Sequence, residues 1–348
     1  MPVYLTARTS GCARDTARTI LRTIGEMNRK IWLGFLLLAG SYAQLLFPRR
    51  MFAHPAYYFH GYPIVPGNLL AVTETLFTLG VIVLGEGLCQ RFGSPSLWRL
   101  ATREKWDPVR FALAAAVACL VMELFAQWLG KLWIYPYWTL WFYWLVLLPG
   151  FAFFWVSIAE SYLAVKAMLD AWVKPPGRSI KHRFIPFLYN VLGALAAVLL
   201  LSAAWLYARW YAARGGYVFA TTVPVRYAPP FGYELLAFLG SWFAVEWGLH
   251  RRGLPSLVSS VLHGYWTPAA AIVGSSLLLS FVMESQNAVN HYWIYTHVPG
   301  PAVTLLGVQL SVFAAWPLQY LAFLLVPSLL VPPLTTLFWR RHAENGVV

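Results

Sequence analysis

The chain has 348 residues, of which 59% are hydrophobic and 11% charged, against about 25% charged in soluble domains. With a mean hydropathy of +0.58, this composition excludes a soluble globular enzyme and marks an all-α, multi-pass membrane protein. The net charge of +13 is spread over short segments and not gathered on one face, so it argues against a nucleic-acid partner and for a topology signal.

In chain order, residues 1–30 read as a cytoplasmic N-terminal segment. Within it Arg14, Arg18, Arg22 and Glu26 recur at helical i, i+4 spacing. A positive stretch of this length exceeds that of a secretory signal, so the first span is expected to remain uncleaved. Apolar runs of about 20 residues, the length that crosses a bilayer, fall at 31–48, 68–90, 109–130, 137–160, 185–212, 232–249, 267–290 and 302–338, which predicts about eight transmembrane helices. With the N-terminus inside, most Arg and Lys residues fall in cytoplasmic segments. The predicted location is the cell's inner (cytoplasmic) membrane, with both termini cytoplasmic. Cys12, Cys89 and Cys119 show no metal-ligand spacing and form an odd set, so no disulfide framework is expected.

The chain also repeats itself at an offset of 160 residues. Glu74 falls on Glu234, Glu86 on Glu246, Arg91 on Arg251, Gly93 on Gly253 and Pro108 on Pro268. Trp133, Ile134 and Tyr135 fall on Trp293, Ile294 and Tyr295, and Glu123 matches Glu284 after a shift of one residue. Two tandem four-helix repeats are therefore predicted, 31–170 and 171–348, joined by the polar stretch 173–183. An even number of spans in each gives both the same orientation, with a pseudo-twofold axis along the membrane normal.

Seven of the 13 acidic residues lie on the spans, and all seven are glutamates. Glu74, Glu123, Glu234 and Glu284 are placed toward the outer side, where a charged carboxylate is costly unless paired, hydrated or protonated. A purely structural role pairs Glu74 with Arg49, Glu234 with Arg209, and Glu86 and Glu246 with Arg91 and Arg251 at the inner interface; Glu160 is placed at that interface too. On the seventh span Glu284, Asn287 and His291 stand at i, i+3 and i+7, one helix face. Glu123 and Gln127 hold the matching face, and His54, His60 and His297 lie in outer loops. The expectation is an outer-side polar cavity with Glu284, Glu123, Glu74 and Glu234 as catalytic carboxyls. Asn287, His291, Trp293, Tyr295, Trp133 and Tyr135 are its expected substrate-binding residues. A Glu284, His291 and His297 metal site lacks any supporting motif, and neither a metal nor a cofactor is expected.

Carboxyl groups in an apolar pocket can keep a proton for general-acid work, and aromatic faces stabilise a cation. That combination suits protonation of an isoprenoid double bond. An acidic residue, a following Trp-x-Tyr and a next helix with a proline (Pro149, Pro317), all duplicated, resemble the lycopene cyclase domain and related carotenoid-synthesis membrane proteins. They also resemble bacterial multispan proteins with a Glu…Asn…Trp-x-Tyr signature. The resemblance implies a lipid- or isoprenoid-modifying enzyme. Gly150 and Phe151 follow the first proline here, and Leu318 and Gln319 the second, where the cyclase family has acids. A proton-coupled transporter or carrier, and a non-catalytic subunit of a membrane complex, fit the same residues. Membrane lipid and a hydrophobic small molecule are the expected partners, and the sequence does not speak to oligomeric state.

Overall fold

The structure is a computed structural model, and it describes residues 9–43, 58–59, 62–63, 67–98, 108–135, 148–173, 184–214, 230–296, 298, 300 and 303–341. The long helices are α1 (Thr9–Ser41), α2 (Gly67–Arg91), α3 (Pro108–Met122), α4 (Leu148–Trp172), α5 (Ile185–Arg214) and α6 (Phe231–Arg251). The short α7 (Leu257–Leu262) is followed by α8 (Thr267–Asn290), α9 (Leu310–Leu330) and α10 (Pro332–Trp339). Helix α3 runs on without interruption as a π-helix, Glu123–Leu129. Three antiparallel pairs of two-residue strands complete the described elements: β1 (Tyr58–Phe59) with β2 (Tyr62–Pro63), β3 (Trp133–Ile134) with β4 (Ile294–Tyr295), and β5 (Thr304–Leu305) with β6 (Val308–Gln309). The chain is an all-α multi-pass membrane protein.

Among the described residues six helices are long and apolar enough to cross a bilayer: α2, α3 with its π-helical extension, α4, α5, α8 and α9. The predicted spans 31–48 and 232–249 are not among them. Residues 31–41 of the first lie at the end of α1, whose earlier turns are polar, and 44–48 lie outside the described residues. The second is α6, whose Glu234, Glu246, Trp242 and Trp247 lower its hydropathy. The predicted span 302–338 is two helices, because the chain breaks at Val331 ahead of Pro332 and Pro333, and proline is well placed only in a helix's first turn. Helix α4 reaches Trp172, twelve residues beyond the end expected from hydropathy.

Helix ends follow local chemistry. After α2 and α6 the chain turns through Gly93 and Gly253, both at φ +67. Each turn carries the same pair of bonds: Ser94 N to Cys89 O with Gly93 N to Gln90 O, and Leu254 N to Leu249 O with Gly253 N to His250 O. This is the Schellman arrangement, which selects glycine because its left-handed conformation costs other residues energy.

Helix α1 packs along α2, and α5 along α6. The first crossing is close: a Cβ on Gly34 would meet Leu84 N at 2.7 Å, and one on Gly80 would meet Leu38 N at 2.9 Å. In the second, a Cβ on Gly240 would meet Leu200 at 2.8 Å and one on Gly193 the Trp247 ring at 2.8 Å. Small residues that let backbones approach are the main attraction between helices where lipid removes the hydrophobic drive.

Helix α4 stands at the centre. Trp155, Ile158, Ala159, Tyr162 and Leu163 are fully buried against α2, α3, α8 and α9. Trp155 Nε1 donates to Phe323 O at 2.6 Å and Tyr162 OH to Phe338 O at 2.6 Å. Lys166 is buried on α4. It donates to Asp170 and to Arg340 O, which ties the C-terminal end to the core.

Candidate functional site

The two Trp-Ile-Tyr motifs meet. Strands β3 and β4 pair antiparallel with Trp133 opposite Tyr295 and Ile134 opposite Ile294, so the centre of the pairing passes between the two isoleucines. The residue two before each motif, Lys131 and His291, takes left-handed backbone, at φ 58 and φ 52. That turn folds each tyrosine back onto the helix it has just left. Tyr135 OH donates to Glu123 Oε1 at 2.7 Å, and Tyr295 OH to Glu284 Oε1 at 2.6 Å.

The one-residue shift between Glu123 and Glu284 has a structural counterpart. Four positions separate Glu123 from Gln127, but three separate Glu284 from Asn287. The π-helix, whose bonds skip one more residue than an α-helix, takes up the extra position, and both glutamates still reach their tyrosines.

The surroundings of the two carboxyls differ. Glu284 is fully buried and saturated: besides Tyr295 it accepts from Asn287 Nδ2 at 3.1 Å and Trp316 Nε1 at 3.3 Å. Asn287 Oδ1 in turn accepts from Trp293 N. The expected face stops there, because α8 ends at Asn290 and His291 caps it with a bond from its N–H to Asn287 O. Trp316, which the sequence reading passed over, is visible in retrospect as the residue before Pro317. Tyr135 accepts from Trp133 Nε1 at 3.0 Å while donating to Glu123, so the first motif is a Trp–Tyr–Glu chain.

A cavity of about 740 Å³ lies beside these motifs. Its wall is mainly apolar and aromatic, with Trp133, Tyr135, Phe151, Phe154, Phe231, Tyr292, Trp293, Tyr295 and Trp316 among the lining residues. The expected polar cavity is thus an aromatic one with few polar groups. Glu74 and Glu123 are its acidic lining residues; Glu284 and Glu234 stand behind the wall. Tyr292 OH bonds Thr73 Oγ1 at 2.8 Å, which fixes the start of α2 beside the motif. No hydrogen bond or ion pair among the described residues engages the Glu74 carboxyl.

For Glu86 and Glu246 the expected arginine partners are replaced by others. Glu86 pairs with Lys30 at 2.6 Å, and Glu246 accepts from Val258 N at the start of α7. Glu160 is fully buried, and accepts from Trp98 N at 3.0 Å. Amide groups at a helix start are natural carboxylate partners. Arg251 lies over the Trp247 ring and Arg209 over Trp205, and neither Glu234 oxygen has a hydrogen-bond partner. Arg49, His54, His60 and His297 lie outside the described residues. No group of three or more His, Cys, Asp or Glu that could hold a metal ion occurs among the described residues.

Lys131, in the turn beyond the π-helix, is held down to a pKa of about 8 by burial, and burial raises the Tyr295 phenol well above its ordinary range. Comparison with family models, with curated proteins and with solved structures finds no match to this chain.

Proposed function

We propose that the chain is an integral membrane enzyme that modifies a lipid or isoprenoid chain held in the aromatic cavity. The observation that carries this reading is the unengaged carboxyl of Glu74 on an apolar wall, with the Trp133–Tyr135–Glu123 chain lining the same space. A volume of about 740 Å³ is in the range of small-molecule sites, about 300–1,000 Å³, and the wall suits an apolar occupant. Glu74 donates its proton to one carbon of a double bond and leaves a carbocation on the other. The aromatic faces stabilise that cation. A neighbouring C–H then gives its proton to the Glu123 carboxylate, and a double bond forms at a new position. Atoms and charge balance with no redox partner. This assigns the general acid to Glu74 and the base to Glu123; Glu284, saturated and behind the wall, braces the second motif.

The reading includes the architecture of two tandem four-helix repeats with an axis between Ile134 and Ile294. Support comes from the symmetric pairing of β3 with β4, the left-handed Lys131 and His291, the two tyrosine–glutamate bonds, and the identical turns at Gly93 and Gly253. It also includes cytoplasmic termini in the inner membrane, for which the charge bias argues.

Mass spectrometry of lipids that co-purify with the chain tests the proposal. The wild type is expected to retain an apolar chain that a Thr78→Trp variant, which narrows the cavity, holds less well. Identical bulk phospholipid in both would remove the substrate site. A polar solute retained in place of lipid would favour a carrier.

A further inference from the structure

Glu234 has no place in the chemistry just described, and its surroundings are unusual. It lies in the first turn of α6 and is 8% exposed, with neither carboxyl oxygen hydrogen-bonded by any other residue among those described. Its Oε1 stands 2.6 Å from the point where a Cβ on Gly130 would sit. The same point is 2.7 Å from Phe125 O and 2.8 Å from Ala126 O. Three oxygens therefore surround one small region at the C-terminal end of the π-helix, where the helix dipole is already negative.

Oxygens placed this way repel each other unless a cation or a proton stands among them, and a buried, charged carboxyl without a partner is strongly unfavourable. Among the described residues the neighbouring cations do not supply it. Arg209 lies over Trp205, and Lys131, next to Gly130, donates to neither oxygen. Phe125 O accepts from Gly130 N and Ala126 O from Leu132 N, but each carbonyl has a second lone pair. Backbone carbonyls at the C-terminal end of a membrane helix, completed by an acidic side chain, can hold small alkali cations.

We infer that Glu234, Phe125 O and Ala126 O form a binding site for a monovalent metal cation of sodium's kind. One carboxylate balances one positive charge, and all-oxygen donors suit hard cations and not soft transition metals. Gly130 is part of the site, because any side chain there would occupy the space against which Glu234 stands. The cation joins the first turn of α6 to the end of the π-helix, and so connects the two halves of the chain at a second point beside the β3–β4 pair.

The test is the thermal unfolding midpoint of the full chain in detergent, with sodium chloride exchanged for choline chloride at constant ionic strength and pH. The midpoint is expected to rise saturably with sodium, by about 5 °C at a hundredfold excess over Kd. The rise should vanish in Glu234→Gln, which keeps the volume, and in Gly130→Ala. A wild-type midpoint that ignores sodium overturns the proposal without reference to any variant. So does a midpoint that follows pH alone, which would identify the occupant as a proton, or an equal sodium response in folded Glu234→Gln.

Discussion

Removing one hydroxyl, in Tyr295→Phe, separates charge-assisted bonding from ordinary polar joining of helices. Glu284 is fully buried and accepts from Tyr295, Asn287 and Trp316, and the tyrosine bond is the shortest at 2.6 Å. Hydrogen bonds to charged groups contribute about 1.5–3 kcal/mol, whereas interhelical bonds measured in a membrane protein average about 0.6 kcal/mol. Two donors survive in the variant, so the loss should fall between these figures, at about 1–2 kcal/mol. Tyr320→Phe is the internal standard. Tyr320 is fully buried where Tyr295 is half-buried, but its hydroxyl meets only the neutral Ser161 hydroxyl at 2.8 Å, and its loss should cost about 0.6 kcal/mol. Equilibrium unfolding in mixed detergent micelles would measure both. Tyr295→Phe should be the more destabilising by a factor of about two, and a double-mutant cycle with Glu284→Gln should show coupling of about 1 kcal/mol. Equal costs, or no coupling, would refute the view that Glu284 is braced by its tyrosine.

Other outcomes follow from local geometry. Gly34→Ala places a Cβ 2.7 Å from the backbone of Leu84 and should destabilise by about 1–3 kcal/mol, whereas Gly25→Ala, with nothing within 4 Å, should be neutral or stabilising in the same assay. Lys131 has its folded pKa lowered to about 8 from 10.5, so the unfolded chain binds more protons between those values. Stability should therefore rise with pH across that window, and the slope should diminish in Lys131→Met when thermal midpoints are compared. Cys89 and Cys119 are buried and should react with maleimide only after denaturation, as read by mass spectrometry. A reporter after Val348 should be cytoplasmic and one within 296–301 external; the opposite labelling would overturn the topology.

The legible parts of the chain were those set by hydropathy and by side-chain identity. Helix α8 has the limits 267–290 that its apolar run predicts, and Pro108, Gly93 and Gly253 mark helix ends as their backbone preferences require. The tyrosine–glutamate bonds were less visible, because a turn through non-glycine left-handed residues, Lys131 and His291, carries no sequence signal. The π-helix was present in the sequence only as an unexplained shift of one residue. Partner choice was hidden for a different reason. Arg91 and Arg251 seemed the natural partners of Glu86 and Glu246, yet Lys30 from α1 and the amide of Val258 take those places. Backbone donors are the same at every residue, so only the fold shows which of them face a carboxylate. The division of labour among Glu74, Glu123, Glu234 and Glu284 likewise depends on which side chains reach the cavity wall.

Proton transfer from Glu74 to a bound hydrophobic chain can be followed directly. Purified wild type and Glu74→Gln would be incubated in D₂O with a total isoprenoid lipid extract from the host membrane, and the lipids read by mass spectrometry. A lipid species that gains carbon-bound deuterium with the wild type, and at least a hundredfold more slowly with Glu74→Gln, is the expected result, in line with the usual contribution of about 10²–10⁴ from a general acid. Deuterium gain at the same rate in both proteins, or in neither, would contradict the account.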